Sequence, residues 1–238
     1  MYHIYNDIMV IPMKNESVNG ILQLVLSVIV YYVIDNYFLF FLNKIHFSPT
    51  GDLLTTMILV KYILICVLIF LIYKSNISGS KHKSRKSKIT SIIFSVGACI
   101  LLVFANFLLH KVIAIFHEVP GYGFVNYFGE TLTYTSIVEL IIEILLKPFI
   151  TVIIFILGTS NIIKNVASAS LISGVLYGVV IALGLHTSIE SSFFIVVIPS
   201  LIIMLLTYLY KNYQNIWLIY LSFVLYMAFG SYILRYFV

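Results

Sequence analysis

Charged residues are scarce in this chain. Of its 238 residues only 10% are Asp, Glu, Lys or Arg, whereas 61% are hydrophobic, and the mean hydropathy is +1.08. Soluble domains are about half apolar and about one quarter charged, so this composition excludes an ordinary soluble fold. A helix that crosses a bilayer needs about 20 apolar residues, and about seven such runs occupy nearly the whole chain. We therefore expect an all-α, polytopic transmembrane helix bundle with no room for a soluble domain.

Cysteine is almost absent, and the usual metal-binding and phosphate-binding patterns are missing. The chain has two cysteines, Cys66 and Cys99, and both fall within apolar runs, away from any Cys/His spacing suited to zinc. This arrangement disfavours a disulfide framework or a structural metal, and we expect two small buried residues. The GYGF segment lacks the spacing and the strand-to-helix setting of a phosphate-binding loop. We therefore expect no cofactor.

What the chain has instead is a series of long apolar runs. Period-2 alternation is absent, and backbone groups in lipid must be satisfied within their own segment, so each run is predicted to be a helix. The N-terminus lacks a basic leader with a small-residue cleavage site, so we expect the first span to be retained. The predicted spans are Val18 to Leu42, Leu53 to Tyr73, Ile89 to Leu109, Thr131 to Leu157 (interrupted at Pro148), Ala167 to Leu185, Phe193 to Tyr210 and Ile216 to Phe237.

Basic residues are concentrated in one short connection, Gly79 to Lys88. In a soluble protein the net charge of +5 would suggest nucleic acid, but in a membrane protein a basic loop is better explained as a topology signal, so we expect no nucleic-acid partner. Placing this loop in the cytoplasm puts the N-terminus inside and leaves Lys44, Lys111 and Arg235 outside. The basic residues then inside are Lys14, Lys74, Lys81, Lys83, Arg85, Lys86, Lys88, Lys164 and Lys211.

Two regions are predicted, divided near residue 130. Residues 1–130 hold three N-terminal spans and the basic cytoplasmic loop 79–88, and residues 131–238 hold the other spans. Small residues at Ser173, Gly178 and Gly184 predict close helix packing in the second region. The richness in Ile, Asn, Lys and Tyr is typical of an AT-rich genome. We expect a multi-pass protein of the plasma membrane of a low-GC bacterium, with membrane lipid as its surroundings.

Three ionisable residues interrupt the apolar stretch VELIIEILLKPFI, Val138 to Ile150. A charge near the bilayer centre costs about 2.5 to 3.5 kcal/mol on the insertion scale, so each should face the bundle interior and have a partner. Glu139, Glu143 and Lys147 lie at i, i+4 and i+8, which predicts one shared helix face with an ion pair between the last two. Pro148 disfavours a regular helix beside them. The alternatives are a functional polar cavity and a self-neutralising pair that lets the helix insert.

Further polar residues lie in the first three spans and near the end of the fifth. Asp35 and Lys61 lie at a similar depth, roughly 12 Å from their helix ends, and we expect them to pair across the first helical hairpin in a structural role. Asn106 and His110, one turn apart, could present two polar groups to a cavity, although an interfacial His that reaches water is the commoner outcome. His186 is expected to be a loop or capping residue.

The order of features from about residue 136 onward resembles the CPBP family, which comprises the CAAX proteases and bacteriocin-processing enzymes and is also called the Abi family of intramembrane glutamic endopeptidases. That family carries EExxxR on one helix, FxxxH on a later helix, and HxxxN or a similar motif after a short loop and a tryptophan. Here IEILLKPF, SGVLYGVVI and IPSLIIMLLTYLYKNYQNIWLIYLSFVLYM occupy the corresponding places. The resemblance implies a CAAX-protease-like core in residues 131–238.

The residues at the motif positions depart from the family chemistry. Glu143 matches the second glutamate, Lys147 replaces the arginine and Tyr177 replaces the phenylalanine. The positions at which the motif is lost are Ile142 for the first glutamate, Ile181 and Phe223 for the two histidines, and Met227 for the asparagine. In the mechanism that the resemblance implies, a glutamate and histidines polarise an attacking water, and a base must reach that water. Ile181 and Phe223 cannot do so.

We therefore predict a catalytically degenerate CPBP-like membrane protein that acts by binding. It would confer self-immunity to a membrane-active peptide or serve as the partner of a membrane transport or processing system for a small hydrophobic peptide or prepeptide. The first alternative is an active intramembrane endopeptidase that uses Glu139 and Glu143 with Lys147 as an electrostatic donor. The second is a small-solute transporter, which Asp35, Lys61 and Glu139 at similar depth would suit.

Overall fold

The structure is a computed structural model that describes residues 15–45, 49–83, 88–116, 133–184 and 189–230. These residues are almost entirely helical and contain no strand, which confirms the all-helical expectation for this part of the chain. We number the helices α1 (Asn15–Lys44), α2 (Gly51–Lys83), α3 (Lys88–Phe116), α4 (Tyr134–Ile162), α5 (Val166–Gly184), α6 (Ile189–Tyr213) and α7 (Ile216–Leu225).

Five of these helices contain segments long and apolar enough to cross a membrane, namely Val18–Lys44, Gly51–Ser78, Tyr134–Ile162, Val166–Leu183 and Val196–Tyr213. The predicted third and seventh spans correspond, within the described residues, to the shorter apolar segments Ile93–Ala105 and Ile216–Ala228. Large apolar side chains on α1 and α5, among them Leu22, Phe41 and Leu171, are exposed on the outer surface. A surface of this kind suits lipid better than water, which supports a membrane-embedded protein.

Polar residues at the helix starts fix where three helices begin. The Thr133 side chain accepts a hydrogen bond from the backbone N–H of Ser136 (3.2 Å) at the start of α4. Asn165 accepts from the N–H of Ser168 (3.0 Å) at the start of α5, and Asn215 accepts from the N–H of Trp217 (3.1 Å) at the start of α7. Side-chain oxygens at these positions satisfy N–H groups that the first helical turn leaves unpaired.

Helix α4 is the central element of the fold. Every residue from Thr151 to Ser160 is buried, including Phe155 and Ile154. The segment contacts α1, α2, α5, α6 and α7, so it forms the core around which the other helices pack. Its far end is held by Lys211 of α6, whose ammonium donates to the carbonyl oxygens of Ser160 (2.7 Å) and Ile163 (2.5 Å).

The predicted interruption of the fourth span at Pro148 is wrong, because α4 continues through this residue. Helix α4 instead contains two π-helical segments, Ile142–Leu146 and Val152–Gly158, on either side of Pro148, and a third, Tyr226–Gly230, directly follows α7. Proline removes one backbone N–H, and the wider π turn lets the Lys147 N–H bond the carbonyl of Ile142. The Leu145 carbonyl accepts from the Tyr220 hydroxyl at 3.2 Å. Partners from a neighbouring helix thus allow the irregular turn inside the bundle.

Helices α5 and α6 form the closest helix pair of the described structure. A Cβ added at Gly174 would lie 2.6 Å from the carbonyl oxygen of Ser200, and one added at Gly178 would also collide with Ser200. The buried hydroxyls of Ser173 and Thr207 hydrogen bond across the pair at 2.7 Å. The close packing predicted from Ser173 and Gly178 is therefore present between α5 and α6, and small residues bring the two backbones together.

Candidate functional site

A cavity of about 400 Å³ opens between the helices on one side of α4. Its polar lining comes from α1, α2, α4 and α5, and its apolar lining mainly from α5, α6 and α7. The lining residues are Tyr31, Asp35, Tyr62, Glu143, Lys147, Pro148, Thr151, Tyr177, Ile181, Ile198, Pro199, Ile202, Phe223, Tyr226 and Met227.

A second cavity of about 250 Å³ adjoins the first. The two share Tyr31, Asp35, Lys147, Tyr177 and two further lining residues, so they form neighbouring parts of one space. Asn36 lines the second cavity and adds an amide to the polar groups. Together the two cavities reach the size range of about 300 to 1,000 Å³ in which small-molecule sites fall.

The first ion pair at this site joins α1 to α2. The Lys61 ammonium lies 2.7 Å from the Asp35 carboxylate and also donates to the Asp35 backbone carbonyl at 3.3 Å. Tyr62 lines the cavity beside the same carboxylate. The Lys61 side chain is only 10% exposed, and that of Asp35 is 27% exposed. The pair therefore has several partners and little access to its surroundings.

The second ion pair lies on α4 alone, between Lys147 and Glu143 at i, i+4. Their side chains are 37% and 34% exposed, so this pair is the more open of the two. The Lys147 ammonium also lies 5.6 Å from the centre of the Tyr62 ring, and the Lys61 ammonium lies 4.6 Å from it. One aromatic ring thus interacts with both cations, which a ring face favours electrostatically.

Tyrosine and threonine side chains accompany the two acidic groups in the cavity lining. Tyr31 lies close enough to interact electrostatically with Asp35, Tyr177 and Glu143. Tyr177 lies close to Thr151 and to Glu143. The cavity lining therefore combines three charged groups (Asp35, Glu143 and Lys147), several hydroxyls and an apolar wall, which is the composition of a site that orients a small ligand.

The charged residues lie at matching depth. At about 1.5 Å of rise per residue, Asp35, Lys61 and Glu143 each lie about 14 Å from the nearer end of their helix. The Thr56 and Tyr134 hydroxyls, 2.7 Å apart, show that the starts of α2 and α4 lie at the same end of the bundle. The three charges are therefore brought to one level within the apolar part of the fold.

Glu139 does not join this cluster. Its side chain is exposed, it is absent from the lining of both cavities, and it lies about 8 Å from the start of α4. The expectation that Glu139, Glu143 and Lys147 share one face assumed a uniform α-helix. The π-helical segment Ile142–Leu146 changes the rotation per residue between positions 139 and 147. Glu139 thus lies outside the site that Glu143 and Lys147 line.

Three of the four positions at which the family motifs are lost line the cavity, and the fourth lies in the core. Ile181, Phe223 and Met227 line the same cavity as Glu143, Lys147 and Tyr177, whereas Ile142 is buried in the core at 4% exposure. Hydrocarbon therefore surrounds the ion pair where the resemblance would place imidazoles. Asn106, His110 and His186 fall outside the part of the chain whose side chains the structure describes.

Sequence reasoning overlooked several lining residues, notably Tyr31, Tyr62 and Thr151. A signal exists for two of them, because Tyr31 precedes Asp35 by four residues and Thr151 follows Lys147 by four, whereas Tyr62 follows Lys61 directly. Residues four apart on a helix share a face, so Tyr31 and Thr151 accompany Asp35 and Lys147 into the cavity, whereas the adjacent position of Tyr62 gives no such signal. Because the chain has 18 tyrosines, a tyrosine near a charged residue did not stand out from the other tyrosines of the sequence.

The described side chains include no group of three His, Cys, Asp or Glu residues that could hold a metal ion. No imidazole or thiol is found among the described residues that line the cavity. The site can therefore form hydrogen bonds and charge interactions through Asp35, Glu143, Lys147 and nearby hydroxyls. No family model, curated protein or solved structure matches the chain.

Proposed function

We propose that the chain is a catalytically degenerate, CPBP-like protein of the bacterial plasma membrane that acts by binding a small hydrophobic peptide or prepeptide in this cavity. It would span the membrane seven times with its N-terminus in the cytoplasm. Its role would be self-immunity to a membrane-active peptide, or partnership with a membrane system that processes or exports one.

One observation carries the proposal. Six of the seven positions that the resemblance selects as motif residues line one cavity, namely Glu143, Lys147, Tyr177, Ile181, Phe223 and Met227. At the positions where water activation would require imidazoles, the cavity has hydrocarbon, which can hold an apolar peptide side chain but cannot accept a proton.

The rival candidate is an intramembrane endopeptidase that uses Glu143 as its base. The observation in its favour is that the Glu143 carboxylate lines the cavity near the hydroxyls of Tyr31 and Tyr177. Glu139, the other carboxylate of that hypothesis, is exposed outside the cavity lining. Because Glu143 is also held by Lys147, attack on a peptide bond would require the ion pair to open first.

Cleavage distinguishes the two candidates. The chain would be expressed together with each member of a panel of membrane-active peptides, and both cell survival and the masses of peptide fragments would be measured. We expect protection without fragments, and we expect Glu143→Gln to reduce protection because it removes the charge of a lining residue. Glu139→Gln makes the same chemical change on the same helix outside the cavity, so it should leave protection unchanged.

The result that would overturn the proposal is a specific peptide fragment that appears with the wild-type chain and disappears with Glu143→Gln. Such a dependence would assign Glu143 as a catalytic base and favour the endopeptidase. Equal loss of protection by Glu139→Gln and Glu143→Gln would also contradict the proposal, because the cavity would then have no special part in the effect.

A further inference from the structure

The two ion pairs of the cavity differ in how firmly they are held. Asp35 and Lys61 are joined across two helices, Lys61 also donates to the Asp35 backbone carbonyl, and the Lys61 ammonium lies 4.6 Å from the centre of the Tyr62 ring. Glu143 and Lys147 belong to one helix, and about a third of each side chain is exposed. Exposed i, i+4 pairs are weak compared with enclosed pairs that have several partners. The Glu143–Lys147 pair is therefore the one that a ligand can open.

The charge of the cavity limits what can open that pair. The charged lining and Lys61 together comprise two carboxylates and two ammonium groups, so the cluster is neutral overall. An anionic ligand that bound Lys147 would leave Glu143 without a cation in apolar surroundings, and a cationic ligand that bound Glu143 would leave Lys147 without an anion. Unpaired charges are strongly disfavoured in such surroundings. A ligand with one charge of each sign can replace both partners at once.

The apolar wall indicates the rest of the ligand. Ile181, Ile198, Ile202, Phe223 and Met227 line the same space as the ion pair. A volume of about 400 Å³ lies near the lower limit for ligand sites, so it suits one or two residues of a peptide and not a long segment. The aromatic rings of Tyr31 and Tyr62 are also present beside the charges.

We infer that the cavity binds a small zwitterion with an apolar side chain, such as a free dipeptide, whose carboxylate pairs with Lys147 and whose ammonium pairs with Glu143. This inference rests on the proposed binding function and narrows its ligand. A free apolar amino acid carries the same pair of charges. The experiment below therefore compares a dipeptide with a free amino acid.

The test measures binding of defined probes to the purified full chain in lipid nanodiscs by calorimetry at neutral pH. The probes are the dipeptide Leu-Phe, its N-acetyl form, which keeps only the negative charge, its C-terminal amide, which keeps only the positive charge, and free phenylalanine. We expect wild type to bind one of the two zwitterions best and to bind each blocked dipeptide roughly tenfold more weakly or worse. The inference is supported if either Leu-Phe or free phenylalanine binds best. The better of the two shows whether the ligand is a dipeptide or a free amino acid.

Variants then reverse the preference. Glu143→Gln leaves the Lys147 cation without its partner, so the N-acetyl dipeptide should become the best probe. Lys147→Gln leaves the Glu143 carboxylate, so the amide should become the best probe. Glu139→Gln should keep the wild-type order. The double variant Glu143→Gln/Lys147→Gln contains no unpaired charge, so it should remain folded while losing the preference among the three dipeptide forms.

Equal binding of the zwitterionic and blocked dipeptides to wild type would overturn the inference, as would an unchanged order in both single variants. Failure of every probe to bind a chain that still protects cells from a membrane-active peptide would overturn the inference alone and leave the proposed function standing. A peptide fragment that depends on Glu143 would instead contradict the proposed function, whatever the order of the probes.

Discussion

Lys61 is one of the buried polar residues of the described chain, and its burial is compensated by Asp35. Removing one member of a buried ion pair leaves the other charge uncompensated, which costs about 3 kcal/mol or more. We predict that Lys61→Met lowers the free energy of unfolding by about this amount, because the Asp35 carboxylate then lacks its cation. Unfolding by denaturing detergent, followed by circular dichroism, measures the change.

The controls for this prediction are a second variant and a second lysine. Asp35→Asn/Lys61→Met removes both charges, so it should recover part of the lost stability. Lys74→Met makes the same substitution at an exposed position of the same helix and should change stability by less than about 0.5 kcal/mol. If Lys61→Met and Lys74→Met had equal effects, the ion pair would make no special contribution to stability.

The charged residues of the site could be selected from the sequence, whereas their surroundings could not. Charges inside apolar runs are rare, so Asp35, Lys61, Glu143 and Lys147 stand out without any structure. The pairing of Asp35 with Lys61 could also be predicted, because the two residues lie equally far from the helix ends that a short connection joins. Tyr177 could be selected by its place in the motif, whereas Tyr31 and Tyr62 belong to a residue type that is common throughout the chain, so only packing shows that these two reach the cavity.

Among the helices, α5 and α6 depend most directly on glycine for their separation. A methyl group at Gly174 would collide with the Met204 side chain and lie 2.6 Å from the backbone oxygen of Ser200, which cannot move without the helix. We predict that Gly174→Ala destabilises the protein by roughly 1 to 3 kcal/mol through overpacking. The same detergent titration measures this loss.

Gly97 on α3 is the matched control for Gly174. It is exposed, and nothing lies within 4 Å of where its Cβ would be. Because alanine favours a helix more than glycine does, Gly97→Ala should leave stability unchanged or raise it by up to about 1 kcal/mol. Equal destabilisation by both substitutions would mean that the loss at Gly174 does not come from helix contact.

Hydropathy located the helices well but did not reveal the shape of α4. Long apolar runs must be helical in lipid, so existence and approximate bounds follow from composition. Pro148 signals an irregularity, but whether the chain breaks, kinks or widens depends on partners such as Tyr220, which bonds the Leu145 carbonyl from 75 residues further along the sequence. The π turn between Glu139 and Lys147 was likewise not predictable from a regular helical period.

The bundle as a whole has two distinct ends. One end contains Lys164 and Lys211, because Lys211 bonds the carbonyl groups that follow α4, and the Phe94 and Tyr213 rings, whose centres lie 3.9 Å apart, place the early part of α3 there too. The start of α1 reaches this end as well, since a Cβ at Gly20 would contact Ile162. The opposite end contains the end of α1 and the starts of α2 and α4.

The positive-inside rule assigns the end with Lys164 and Lys211 to the cytoplasm. We predict that a membrane-impermeant maleimide labels Thr50→Cys in intact cells, whereas Lys164→Cys is labelled only after the cells are permeabilised. Both positions are exposed, so burial does not limit the reaction. The wild-type chain supplies the background, because Cys66 is half-buried and Cys99 is buried. If only Lys164→Cys were labelled in intact cells, the orientation would be the reverse of the predicted one. If both variants were labelled, the two ends of the bundle would not lie on opposite sides of a membrane.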